Sequence, residues 1–102
     1  MRPARRTGAA CLLVLGLAGP ALAQDEGRKL FNGGVTPSCA ICHTLRDAGA
    51  AGEIGPSLDE LKPDAARVAK ALRTGIGQMP AFPQLTDAQV QALARYIEQA
   101  TR

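Results

Sequence analysis

Apolar residues recur at helical spacing in the later part of the chain. Val90, Leu93, Ala94 and Ile97 stand at offsets of three, four and seven, which predicts a last helix with one apolar stripe. Tyr96 borders that stripe, and Gln89, Gln91, Arg95 and Glu98 form the polar face. Thr86, with Gln89 three residues on, reads as a capping box at its start. Ala65, Val68, Ala69 and Leu72 repeat the same offsets. They predict an earlier helix that starts near Pro63 or Asp64 and stops at Gly75 and Gly77. A shorter helix is expected over 24–32. Asp25 and Glu26 sit where they suit the helix dipole, and Gly33-Gly34 ends it. Asp59-Glu60-Leu61 reads as one helical turn. Residues 45–55, with Gly49, Gly52 and Gly55, read as loop. Residues 77–83 read as a stiff loop, because Pro80 and Pro83 leave little room for regular structure. No run has the alternation of a strand. The expected fold is all-α.

The first 23 residues have a different pattern. Arg2, Arg5 and Arg6 precede a short apolar run over 9–19, and Ala21-Leu22-Ala23 follows. That order is a secretory signal peptide with cleavage after Ala23, leaving one domain over 24–102. The apolar run is too short to span a bilayer comfortably. Cys11 stands at the start of that run, not after it, which argues against a lipidated cysteine.

The leader also changes the electrostatics. The whole chain has twelve basic and nine acidic residues, a formal charge of +3. The leader holds three of the basic residues and none of the acidic ones, so nine of each remain. No basic, aromatic-laced patch points to nucleic acid. Removing 23 of 102 residues leaves 79, with no Trp, one Tyr and two Phe. A chain so short and poor in aromatics struggles to build a core alone.

One motif supplies what the core lacks. Cys39-Ala40-Ile41-Cys42-His43 has the C-x-x-C-H form of a covalent haem attachment site. Two residues between the cysteines make about one turn, so both thiols face one macrocycle and each adds to one vinyl group. His43 then offers its imidazole to the iron. A thioredoxin-like site would need βαβ context, and a closed zinc site would need a fourth ligand. A carrier iron needs a second axial ligand. The chain has one His, and outside the leader Met79 is its only Met. His/Met ligation raises the reduction potential. A ligating His also needs an acceptor for its second ring N–H, for which the Pro56 carbonyl is expected. Leu58 and Phe82 are expected as pocket wall or core. Arg46 and Lys62 are candidates for the haem propionates.

These segments together resemble a small monohaem class I cytochrome c of the bacterial periplasm. The resemblance rests on Cys39-Ala40-Ile41-Cys42-His43, Gly55-Pro56, Gln78-Met79-Pro80 and the flanking helices. It implies three to four short helices wrapped around one covalently attached haem c. It also implies crossed first and last helices, with Gly27 and Phe31 meeting Tyr96. The runs 42–45, 53–61 and 75–82 look like cytochromes paired with periplasmic molybdenum sulfite dehydrogenases. That narrower likeness implies a sulfite dehydrogenase as electron donor, and a terminal oxidase or another cytochrome as acceptor. Donors oxidising alcohol or sulfide, a permanent dehydrogenase subunit, and an open-site haem peroxidase or sensor remain as alternatives. No membrane span is expected after processing.

Overall fold

A computed structural model of the chain describes residues 3, 4, 8 and 20–102. The expected leader therefore lies outside the described residues, apart from positions 3, 4 and 8 and its last turn, 20–23. Five helices follow in order: α1 (Pro20–Lys29), α2 (Cys39–Cys42), α3 (Leu58–Leu61), α4 (Ala65–Thr74) and α5 (Asp87–Ala100). The all-α expectation holds with one addition. Thr44–Leu45 (β1) pairs antiparallel with Ala50–Ala51 (β2), closing a small hairpin over a tight turn at Arg46–Ala48. Two residues per strand are too few to show any alternation in sequence.

Helix α1 starts at Pro20, so it runs through Ala21-Leu22-Ala23 instead of starting at Gln24. It widens over Leu30–Gly34, where Asn32 and Gly33 leave helical geometry (Gly33 φ +123°). Helix α4 begins after Asp64, whose carboxylate accepts from the Arg67 backbone N–H at 2.8 Å. Pro63 lies just outside the helix and is buried. Helix α5 carries the capping box as read: the Gln89 N–H donates to Thr86 Oγ1 at 3.1 Å, and the Thr86 N–H donates to Gln89 Oε1 at 2.9 Å.

The first and last helices cross at a glycine. A Cβ on Gly27 would lie 2.2 Å from Tyr96 Cβ, so no larger residue fits at this contact. Phe31 packs edge-on to Tyr96, with ring centroids 6.4 Å apart. Such pairs contribute about 0.5–1.5 kcal/mol beyond their buried area. Tyr96 does not merely border the α5 stripe; it is fully buried, as are Phe31, Leu93 and Ala94. Its hydroxyl explains the difference. It donates to Asp47 Oδ2 at 2.6 Å, and Arg28 Nη2 donates to the same oxygen at 3.0 Å. The phenol can be buried because its polar end is satisfied. Burial and that bond push the Tyr96 phenol up to about 12. The same hydroxyl, with Arg28, holds Asp47 below the usual carboxylate range.

Candidate cofactor site

Helix α2 is a single turn between two extended residues. Ser38 has φ −68° and ψ 135°, and His43 has φ −118° and ψ 139°. The His43 N–H closes the turn on the Cys39 carbonyl at 3.0 Å. Ser38 Oγ anchors it to the end of the α1 segment by donating to the Phe31 carbonyl at 3.2 Å. Neither cysteine is in a disulfide, and both line one cavity of about 810 Å³. Before haem attachment, desolvation pushes the Cys39 thiol up to about 11.

His43 enters the same cavity. Its Nδ1 lies 2.7 Å from the Pro56 carbonyl oxygen. A carbonyl only accepts, so Nδ1 carries the proton and Nε2 is left as the basic nitrogen. Space for the ring depends on Gly55, where a Cβ would come within 2.7 Å of His43 Cε1. The Gly55 N–H also donates to the Cys42 carbonyl at 2.6 Å, which ties the Pro56 loop to the end of α2.

Met79 reaches the cavity on a tight turn. The Ile76 N–H donates to the Met79 carbonyl at 3.0 Å, and the Met79 N–H donates back to the Ile76 carbonyl at 2.9 Å. Gly75 starts this turn at φ +68° and ψ 169°, a region that only glycine enters without strain. The Phe82 N–H then donates to the Leu72 carbonyl at 2.7 Å. The loop is thus fastened to α4 on the far side of Met79.

The remaining wall is apolar. Leu58 and Phe82 line the cavity and are also core residues, being 6% and 5% exposed. Val68 and Leu72 of α4 join Leu93 and Ile97 of α5. Of the basic residues, Arg46 and Lys62, offered only as candidates for the propionates, do not line the cavity, whereas Arg67 and Lys70 do. The Arg46 backbone N–H donates instead to Asp59 Oδ2 at 2.8 Å. Lys62 closes α3 in a left-handed conformation, at φ 47°. Two further lining residues were missed. Ile54 and Ile76 are 71% and 67% exposed. Their signal was an isolated isoleucine beside glycine in each of the two loops that flank the ligands.

The cavity fits a haem. Its volume lies within the roughly 300–1,000 Å³ of cofactor pockets, and its wall has their apolar character with a few placed polar groups. Two thiols, an imidazole with a free Nε2 and a thioether are the donors that a c-type haem uses.

Fold and donor set define a c-type cytochrome. The family described as "Cytochrome C oxidase, cbb3-type, subunit III" matches residues 22–97. The chain belongs to this family of cytochrome c domains, and its cofactor is a covalently bound haem c. Among solved structures it is similar to the c-type cytochrome SorU from Sinorhizobium meliloti. Identity is 51% and the TM-score 0.76, over 78% of this chain and 91% of that one. No curated protein matches the chain. Among the described residues, no helix is long and apolar enough to cross a membrane.

Proposed function

We propose that this chain is an exported one-electron carrier, not an enzyme, whose haem iron is held between His43 and Met79. When bound, the haem supplies an iron centre that alternates between ferric and ferrous. The chain's own residues do the rest. Cys39 and Cys42 would anchor the group, and the His43 Nδ1–H donates to the Pro56 carbonyl, which leaves Nε2 free to hold the iron. Met79 brings a soft thioether, which favours the reduced state. The buried wall of Leu58, Phe82, Leu72 and Leu93 excludes water and disfavours the extra charge of the oxidised state. Were His43 and Met79 both to hold the iron, no coordination position would be left for a substrate.

The observation that carries this reading is the convergence of Cys39, Cys42, His43 and Met79 on one apolar cavity. Export is supported by the leader pattern. Ala21, Leu22 and Ala23 are all exposed, so cleavage after Ala23 removes no buried side chain from that turn.

The donor we propose is a molybdenum sulfite dehydrogenase, with a terminal oxidase or another cytochrome as acceptor. The runs that resemble sulfite-linked cytochromes support this donor, and the high identity to a c-type cytochrome over nearly its whole length supports the carrier. The test takes native periplasmic extract and the oxidised holo-protein, adds sulfite and follows the visible spectrum. Fast reduction is expected with extract, and none with sulfite and the purified protein alone. No response to sulfite, with fast reduction by an alcohol or sulfide, would change the donor and keep the carrier.

A further inference from the structure

Charge is not spread evenly over the domain. Residues 24–64 hold seven acidic and four basic residues, a net −3. Residues 65–86 hold Arg67, Lys70 and Arg73 and no acidic residue, a net +3. Residues 87–102 hold two of each. A domain with zero formal charge is therefore strongly polarised, and its positive segment is α4 with the Met79 loop.

We propose that the flank of α4 carrying Arg67, Lys70 and Arg73 is the docking surface for an acidic face of a redox partner protein. This rests on the carrier reading above. The three residues stand three apart on one helix, and all are exposed. Arg67 and Lys70 line the cofactor cavity. Lys70 and Arg73 line a second cleft of about 450 Å³, between α4 and Gln91 of α5. The stripe therefore leads from the haem cavity outward.

The neighbouring acids leave the stripe positive. Asp64 is committed to the Arg67 backbone N–H, and Glu98 accepts from the Ala65 N–H at 2.7 Å while lying 3.8 Å from Arg102. Asp87 approaches Arg73 only at 3.7 Å, with its side chain 96% exposed. Among the described residues Arg67 and Lys70 form no ion pair. Helix stability does not account for the pattern either. Arg73 suits the C-terminal end of α4, but Arg67 lies in the first turn, where the dipole disfavours a cation. Encounters between redox proteins bury little area, so a local field that raises the encounter rate is the effective lever.

The test uses the holo-protein with Arg73→Glu, the one residue of the stripe outside the haem cavity, and Arg95→Glu on α5 as a control. Reduction by periplasmic extract plus sulfite is timed at low and high salt, and the midpoint potential is measured in parallel. Arg73→Glu is expected to be reduced several-fold more slowly than wild type at low salt and equally fast at high salt. Its potential is expected to be unchanged, and Arg95→Glu is expected to behave as wild type. Equal low-salt rates for Arg73→Glu and wild type would overturn the proposal. So would a rate loss accompanied by a shifted potential, because the residue would then serve the haem and not a partner. A wild-type protein that the extract does not reduce with any donor would bring down the carrier reading itself, and this surface with it.

Discussion

Met79 and Gly75 divide one task between them. Met79 supplies the thioether, and Gly75 lets the chain turn sharply enough to present it. A Cβ on Gly75 would lie 2.8 Å from the Met79 carbonyl oxygen and 2.9 Å from the Ala81 nitrogen. Both are backbone atoms, so no side-chain rotation relieves the clash. Gly75→Ala is expected to destabilise the protein by about 1–3 kcal/mol, seen as a lower denaturant midpoint. It is also expected to loosen the Met79–iron bond, read as weaker thioether-to-iron absorption and faster carbon monoxide binding. Met79→Ala is expected to do more to the iron and less to the fold. Its potential falls by on the order of 0.1 V or more, while helix content is kept. A Met79→Ala protein with the wild-type potential and ligand resistance would remove Met79 from the iron. At this scale the sequence was highly legible where chemistry restricts residue type. Cys39, Cys42, His43 and Met79 were singled out by motif and elimination, and all four line one cavity. Arg67 and Lys70 were not, because a basic residue on a helix gives no sign of which cavity it borders.

Helices α1 and α5 form the element pair on which the rest is stacked, and a polar contact locks it. Tyr96 reaches across from α5 to Asp47, in the turn between β1 and β2, and Arg28 of α1 closes the triangle. Tyr96→Phe keeps the ring packing on Phe31 and Gly27 and removes only the hydroxyl. Near neutrality it is expected to lower stability by about 1.5–3 kcal/mol, the range for a bond to a charged acceptor. The pH dependence has a definite sign. The folded-state value of Tyr96 is raised from 10.0 to about 12. Its contribution is therefore complete below pH 10 and is lost as pH rises from 10 to 12. Denaturant titrations at neutral pH and pH 11 check this: the gap between wild type and Tyr96→Phe should narrow. A gap that does not change would mean that the hydroxyl does not titrate in this window. The periodicity of α4 and α5 was readable because each has one wet face and one dry face. The β1–β2 pair was not, since its four residues are held by tertiary contacts such as Thr44 Oγ1 donating to the Gly52 carbonyl at 2.8 Å.

Across the whole molecule the core and the cofactor site share their residues. Phe31, Leu58, Leu72, Phe82, Leu93 and Ile97 belong to the buried core and also line the cavity. A chain with this cavity unfilled would expose apolar wall to water, which is strongly unfavourable in so small a domain. Cys39→Ala or Cys42→Ala is therefore expected to weaken haem retention and, where haem is lost, to leave a chain with little cooperative unfolding by circular dichroism. A stable, cooperatively folded apo-protein would show that the core stands without its cofactor. The class of fold was legible because the haem motif and the later methionine fix where the chain must double back. The polarity of the domain was legible in the residue counts but hidden by the zero total. The α1–α5 crossing has one more consequence, in the order of events as the exported chain emerges and folds. Gly27 waits for Tyr96, and the cavity waits for Leu93 and Ile97 of the last helix. The attachment cysteines emerge some fifty residues before the wall that encloses them is complete. Long-range closure of this kind comes late in folding, so the thiols stay open to incoming haem until the final helix arrives and shuts the fold around it.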